Sequence, residues 1–265
     1  MQAVILSEKE EIESFLRRNV PLHIYELGDL DDFYWPHTTW YAMREGKQVR
    51  ALLMLYTAEP LPVLLALCED EEVSLQRELM RSIFHRLPTC FYGHFTPGIE
   101  EALSQGYVLT PTGANFRMLL KDASTLEEVD TSSVFRLSIS DVGELMAFYE
   151  LSYPGHNFSP RMVKTDMYWG VKKDGTIVSV AGVHVCSQSY GVAALGNIAT
   201  HPDFRKRGLG TAVTAKLCLS LLDIVESIGL NVKTDNMAAL NCYRNLGFEE
   251  ITTIEQYMVE TKQKS

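Results

Sequence analysis

The residues best suited to chemistry in this chain run Asn197-Ile198-Ala199-Thr200-His201-Pro202-Asp203-Phe204-Arg205-Lys206-Arg207-Gly208-Leu209-Gly210-Thr211. They read as a strand, a loop and the start of a helix. A glycine-rich turn feeding a helix N-terminus presents several unpaired N–H groups in one direction. The helix dipole adds partial positive charge at the same point. Together they suit an anion such as a diphosphate. Gly208 and Gly210 have no side chain, so backbone can approach phosphate oxygens closely. Arg205, Lys206 and Arg207 add mobile positive charge to a chain whose formal net charge is −10. Two other phosphate loops are excluded. There is no G-x-x-x-x-G-K followed by Ser or Thr, and Val213 stands where a dinucleotide fingerprint needs its third small residue. On these residues alone, an ordinary basic loop capping a helix is the competing reading.

A second constellation follows: Asn236-x-x-Ala239-x-x-x-Tyr243-x-x-x-Gly247-Phe248. Arg205-x-x-Gly208-x-Gly210 resembles the R/Q-x-x-G-x-G/A signature of the GNAT superfamily of N-acetyltransferases. Thr200-x-Pro202 resembles the strand end that commonly precedes it there. The Asn236–Phe248 stretch is similar to the family's second signature, in the right order and at a distance that fits a helix plus a strand. The resemblance covers the second half of the chain. The tract from Tyr153 to Pro202 resembles the substrate side of two-domain bacterial members, and the first half resembles the fold only, as a degenerate copy.

The resemblance implies an α/β (α+β) fold class: tandem GNAT-like domains, each a mixed, mostly antiparallel twisted sheet flanked by helices. It implies acetyl-CoA as cosubstrate. Ile198, Ala199 and Thr200 would bond the pantetheine arm through backbone groups, as a sheet edge accepts another strand. Arg205, Lys206, Arg207, Gly208, Leu209, Gly210 and Thr211 would bind the pyrophosphate, and Asn236 would hold the cofactor or the helix entry. Tyr243 sits where members commonly have a hydroxyl near the thioester sulfur. No metal is implied.

The chemistry then needs three things. An amine must lose a proton, a carbonyl oxyanion must be stabilised, and a departing thiolate must be protonated. Tyr243 is the candidate acid; its competing role is packing on an amphipathic helix. A backbone N–H near Ile198 or Ala199 is the candidate oxyanion donor. Many relatives carry a Glu on the strand before the phosphate loop, but Ala193-Ala194-Leu195-Gly196-Asn197 has no carboxylate. His184 and His156 are candidate bases, each with a structural alternative, and a water-relayed proton path is the default. The expected activity is N-acetylation of the primary amine of a small metabolite. A non-catalytic CoA-binding regulator and an acyltransferase acting on a peptide or hydroxyl are the alternatives.

The whole chain bounds these readings. Its 265 residues are 46% hydrophobic, enough for two cores of moderate size. An acidic surface repels phosphate backbones, so nucleic acid is not an expected partner. Cys68, Cys90, Cys186, Cys218 and Cys242 form no C-x-x-C pair and are odd in number. That suits a reducing cytoplasm rather than a disulfide framework. The Glu-rich start lacks the pattern of a signal peptide, and the longest apolar runs are strand-length, so no membrane partner is expected. A monomer or homodimer is expected.

An internal repeat organises the chain. Trp40–Gly46 resembles Tyr168–Gly175, each an apolar strand meeting a glycine turn before a second apolar strand. Gly106 to Phe116 and Gly247 to Tyr257 have the same spacing, each preceding a strand-like run. The offset between the halves grows by 12 residues between these two landmarks, an interval that contains the glycine-rich segment. Two copies of one fold, one without the loop, account for this. The polar stretch Asp122–Ser133 marks the boundary, giving domains 1–125 and 126–265. In the first copy the acidic run Glu69–Glu72 occupies the loop's place; it would repel a diphosphate and start a helix near Ser74. The aromatics Phe33, Tyr34, Trp35 and Trp40 read as core or domain interface, with a ligand surface as the alternative. In the second half, strands are expected at 134–137, 167–172, 176–186, 191–200, 230–234 and 251–259. Helices are expected after Asp141, after Ser159-Pro160, from the glycine loop to Ile228 with Gly229 as its stop, and over 238–245. The loop Tyr153–Phe158 lies near the expected substrate mouth.

Overall fold

The computed structural model describes residues 1–155 and 158–262. Compactness divides the chain into two units. One holds Met1–Arg117, Lys233–Asp235 and the residues from Ile251 onward; the other holds Met118–Val232 and Asn236–Glu250. A linear division at 125/126 puts the last strand with the second domain, whereas compactness puts most of it with the first.

The first unit contains β1 (Gln2–Leu6), α1 (Lys9–Leu16), α2 (Ile24–Gly28), β2 (Thr38–Glu45), β3 (Gln48–Tyr56), β4 (Val63–Ala66), α3 (Val73–Ile83), β5 (Cys90–Phe95) and most of β6 (Tyr107–Leu120). The second contains β7 (Phe135–Arg136), α4 (Val142–Ser152), β8 (Trp169–Lys173), β9 (Thr176–Ser187), β10 (Val192–Thr200), α5 (Leu209–Leu222), β11 (Ser227–Lys233, through Val232) and α6 (Met237–Asn245). The last strand, β12 (Phe248–Thr261), leaves the second unit after Glu250 and lies between β5 and β6 in the first. Its register against β5 is antiparallel, from Glu255↔Phe95 to Glu260↔Cys90.

Each unit repeats the same order: an antiparallel hairpin, a third strand, a crossover helix and a parallel fourth strand. In the first unit β2–β3–β4 is antiparallel, and β4 pairs parallel with β5 across α3. In the second β8–β9–β10 is antiparallel, and β10 pairs parallel with β11 across α5. A crossover helix of this kind is what parallel neighbours require. Both hairpin turns have two residues. Gly46-Lys47 and Asp174-Gly175 close Glu45↔Gln48 and Lys173↔Thr176, with positive φ at Gly46, Asp174 and Gly175. After Gly106 and after Gly247 the chain enters strands of 14 residues each. The repeat read from the sequence is thus a repeat of structure.

Each unit has its own core. Gln76, Leu79, Met80 and Ile83 form the buried stripe of α3, at helical spacing, and the three apolar ones cluster with Phe91, Phe95 and Tyr107. Tyr34 and Trp40 are buried, and Trp35 stacks on Trp40. In the second unit Leu145, Phe148 and Tyr149 of α4 pack with Phe158, Tyr168 and Val180. No described helix is long and apolar enough to cross a membrane.

Several local expectations are corrected. The helix expected to reach Ile228 stops at Leu222, and Gly229 lies inside β11 opposite Ala194. Glu226 and Ser227 donate their N–H groups to the Gly191 carbonyl, which draws the chain into the parallel ladder. The β-branched Ile228 suits that ladder better than a helix. The helix start at Asp141 is a capping box one turn earlier: Ser138 and Asp141 exchange hydrogen bonds, and Asp141 also takes one arm of Lys172. Those bonds, the Ser138 N–H first, hold the Asp141 carboxyl below its ordinary range. Ser159-Pro160 opens only a 3-10 segment, Pro160–Thr165.

Candidate active site

The parallel ladder between β10 and β11 runs from Val192↔Ser227 to Leu195↔Leu230 and stops there. From Gly196 to Thr200, β10 keeps pairing with β9 alone, at Gly196↔Gly182, Ala199↔Val180 and Thr200↔Ser179. Burial follows the ladder. Val192 to Leu195 are buried, whereas Gly196, Ile198, Ala199 and Thr200 are half-buried. One backbone edge of this stretch is therefore open at the point where the strand leads into the glycine loop.

A bulge sits in the same stretch. Two residues, Asn197 and Ile198, oppose the single residue Ala181 between the flanking pairs. Asn197 has φ +53, a left-handed conformation. A second bulge, on β9, leaves His184 unmatched between Val183↔Leu195 and Val185↔Ala194. The His184 ring covers Gly196: any Cβ at Gly196 would lie 2.0 Å from a ring carbon. Gly196 is thus the space that this imidazole occupies. Burial pushes the His184 pKa down to about 4, so the ring is neutral at pH 7 and holds a proton weakly. His156 and Asn157, in the loop Tyr153–Phe158, lie outside the described residues.

Beyond Thr200 the chain makes a 3-10 turn, Pro202–Phe204, and reaches α5. Gly208 is the N-cap of α5, at φ +75, and no side chain caps the helix. The first N–H groups of α5, those of Leu209, Gly210 and Thr211, have no intrahelical acceptor. Lys206 is also left-handed, at φ +60. Nothing lies within 4 Å of a Cβ built on Gly208, and a Cβ on Gly210 would meet only Thr200 Oγ1, at 3.3 Å. A cleft of about 420 Å3 opens here, lined by Arg207, Gly208, Leu209, Thr211 and Ala212 with Val129, Asp130 and Ser133. Uncapped amides at a roomy, glycine-led helix start fit a diphosphate.

The predicted site residues divide by what their side chains do. Arg205 is exposed but bonds back to the chain: Nε donates to the Thr200 carbonyl (3.2 Å) and Nη2 to the Ser152 carbonyl (3.4 Å). It ties the strand end to the end of α4. Arg207 Nη2 donates to the Asp203 carbonyl (3.0 Å), with the guanidinium 5.1 Å from the Phe204 ring centroid. Thr211 Oγ1 lies 3.3 Å from Cys242 Sγ on α6. Asn236 accepts the Ala239 N–H (3.2 Å) and so caps α6, the helix-entry role of the two expected for it. Tyr243 is buried on α6 with its ring edge-on to Phe248, centroids 6.0 Å apart. Ile198, Ala199 and Thr200 lie together on the open-edged stretch, and Gly208 to Thr211 lie together at the start of α5.

Sequence reasoning missed Asp130, an anion on the rim of the cleft. It also missed Tyr149 and Tyr168, which hold the bulge. An Asn inside a run of strand-forming residues was the available signal, because Asn tolerates the left-handed conformation better than Ile or Ala.

The first unit treats the equivalent place differently. Beyond the β4–β5 ladder, Thr96 bridges the strands: its N–H reaches the Ala66 carbonyl (3.0 Å). Its Oγ1 accepts from the Cys68 N–H (3.0 Å) and donates to the Cys68 carbonyl (3.1 Å). Where β10 leaves an open edge, the first copy is stapled shut. The acidic run lies beside it, with Glu72 paired to Arg18 (2.6 Å) and Glu69 bonded to Asn19.

The central parallel pair of the second unit thus parts ahead of a glycine-led helix, in the strand, loop and helix order read from the sequence. Residues 136–248 match the Acetyltransferase (GNAT) family. The chain is similar over 70 residues, at 41% identity, to the [Ribosomal protein bS18]-alanine N-acetyltransferase of Salmonella typhimurium, covering 24% of this chain and 45% of that protein. The chain thus spans about half the length of the curated relatives it matches. Two solved structures share the fold over nearly the whole chain. A tandem GNAT protein from the clavulanic acid biosynthesis pathway matches with TM-score 0.57 at 13% identity, covering 100% of this chain and 99% of that one. A Drosophila protein matches with TM-score 0.70 at 12% identity, covering 97% of each.

Proposed function

We propose that this protein binds acetyl-CoA through its second half and transfers the acetyl group to the primary amine of a small metabolite, by direct attack in a ternary complex. The observation that carries this reading is the end of the β10–β11 ladder at Leu195↔Leu230, immediately before an uncapped, glycine-led helix. An open strand edge offers alternating N–H and C=O groups to the amides of the pantetheine arm. The amides of Leu209, Gly210 and Thr211 then face the diphosphate. Arg205 contributes by holding the strand end, while Lys206 and Arg207 supply charge.

In the transfer, the amine nitrogen attacks the thioester carbon and the C–S bond breaks. The amine loses one proton and the departing thiolate gains one, leaving an N-acetylated product and free CoA. The Ile198 or Ala199 N–H would stabilise the oxyanion. Tyr243 would donate to the thiolate, since a phenol is protonated at neutral pH. With His184 neutral and of low proton affinity, a relay through water carries the amine's proton. Five cysteines without a C-x-x-C pair suit a reducing cytoplasm.

A peptide N-terminus is the second acceptor reading, favoured by the matched bS18-alanine acetyltransferase. A panel of amino acids, polyamines and short peptides at matched concentration discriminates the two. Faster turnover on peptides than on free amines would overturn the small-metabolite assignment.

One acetyl-CoA per chain is expected. Thr96 occupies the corresponding edge in the first unit, and Glu69 to Glu72 stand where its phosphate loop would be. Calorimetric titration of the whole chain with CoA should give a stoichiometry near one, and two sites would contradict this account. A fragment cut at 125 would lack β12, so the full chain is needed.

Gly210→Val should weaken CoA binding by on the order of 2 kcal/mol, the scale of a lost charge-assisted hydrogen bond. Val is a better helix residue than Gly, so thermal stability should hold. Unchanged affinity in the folded variant would mean that the diphosphate binds elsewhere.

A further inference from the structure

The bulge on β10 is held by groups the reaction does not itself require. Asn197 carries a left-handed backbone inside a strand, a conformation that non-glycine residues adopt only when their surroundings impose it. Three contacts impose it. Tyr149, from α4, donates its hydroxyl to the Asn197 carbonyl at 2.6 Å. The Asn197 side-chain amide donates to the Tyr168 hydroxyl at 3.0 Å and lies 3.4 Å from Met162 Sδ. Asn197, Tyr149 and Tyr168 are all buried. Burial raises both phenols above their ordinary range, so both remain protonated throughout any working pH.

The direction of the first contact has a consequence. A peptide unit is planar and trans, so its C=O and the following N–H point in opposite directions. Tyr149 draws the Asn197 carbonyl towards α4. The Ile198 N–H of the same peptide must then point away from that hydroxyl. Ile198 lies in the bulge, unmatched in the β9 register, on the stretch that has lost its β11 neighbour.

We infer that Tyr149 is a positioning residue: by holding the Asn197 carbonyl it aims the Ile198 N–H at the acyl oxygen of the bound thioester. This rests on the acetyl transfer proposed above. It assigns a catalytic consequence to a side chain that does not touch the substrate, and it names which of two candidate amides is the donor. Tyr168 and the Asn197 side chain keep the bulge's shape; Tyr149 sets the direction of the peptide.

The test measures kcat, acetyl-CoA KM, Kd for free CoA and melting temperature on wild type and Tyr149→Phe. A loss of kcat on the order of 10²-fold is expected, the scale of one oxyanion donor. Free CoA has no acyl oxygen, so its Kd should stay within about twofold, the signature of an interaction made only in the transition state. A purely structural Tyr149 would lower the melting temperature while leaving kcat per folded molecule within about threefold, too small for a lost oxyanion donor; that result overturns the inference. A second variant needs no change at Tyr149: replacing Ile198 with its α-hydroxy acid analogue turns its N–H into an ester oxygen. It should cost a similar factor in kcat, and unchanged turnover there also overturns the assignment. If wild type binds CoA but transfers acetyl to no amine, the acetyl-transfer reading itself fails and takes this inference with it. Only in that case is wild type silent.

Discussion

Tyr243→Phe is expected to lower kcat by roughly 10²–10⁴-fold, the range of general acid catalysis. The substitution keeps the aromatic ring and its edge-on contact with Phe248, and with them most of the packing on α6. Only the hydroxyl is removed. CoA affinity should hardly change, because the cofactor contacts assigned here lie on β10 and at the start of α5. Thermal stability should also hold. A Tyr243 that only packs would give the opposite pattern: a lower melting temperature and undiminished turnover of the folded fraction. A kcat per folded molecule within about threefold of wild type lies well below the general-acid range. The thiolate would then take its proton from solvent.

Gly247→Ala is expected to produce the largest loss of stability. Gly247 follows α6 at φ +87, and a Cβ there would lie 1.7 Å from the Asp122 carbonyl oxygen. That obstacle is backbone, so no side-chain rotation relieves it. The Gly247 carbonyl also accepts the N–H groups of Lys121 (2.9 Å) and Asp122 (3.2 Å), which fixes the two segments against each other. A left-handed alanine costs about 1–3 kcal/mol, and overpacking adds a similar amount. A total near 3 kcal/mol or more corresponds to a fall in melting temperature on the order of 10 °C. A melting temperature within about 2 °C of wild type, under 1 kcal/mol on the same scale, would mean that this contact yields easily.

The two parts of the site were not equally legible in the sequence. The glycine loop was, because a strand, a basic turn and a Gly-x-Gly helix start are local features, and Gly208 carries the left-handed φ that its residue type foretells. The hairpin turns and the spacing after Gly106 and Gly247 were legible for the same reason. The end of the β10–β11 ladder was not, because it depends on which residues of two separate strands meet. The helix boundary at Leu222 was misjudged: helical periodicity continues through Ile224 and Ile228, and only the bonds from Glu226 and Ser227 to Gly191 end it. The position of β12 beside β5 was equally hidden, since an alternating strand pattern identifies a strand but not its sheet. The bonds from Arg205 to the Thr200 and Ser152 carbonyls had no signal at all. A basic residue beside a phosphate loop reads the same whether it faces a ligand or two carbonyls.

Tyr149 and Thr96 carry the contrast between the two copies. Thr96 closes the strand edge in the first unit with one hydroxyl that both accepts and donates. Tyr149 sustains an open, bulged edge in the second. One fold thus yields a stapled copy and an open copy through a few buried hydroxyls, and the difference in surface charge follows the same division.

Thiol release from acetyl-CoA, followed across a panel of small primary amines and short peptides with the whole chain, tests the central claim most directly. The account predicts amine-dependent release of free CoA matched one for one by N-acetylated small amine, with Gly210→Val requiring much higher acetyl-CoA. Tight binding of CoA at one site per chain, with no release above the hydrolytic background for any amine or peptide, would contradict it and leave a CoA-binding regulator in place of an enzyme.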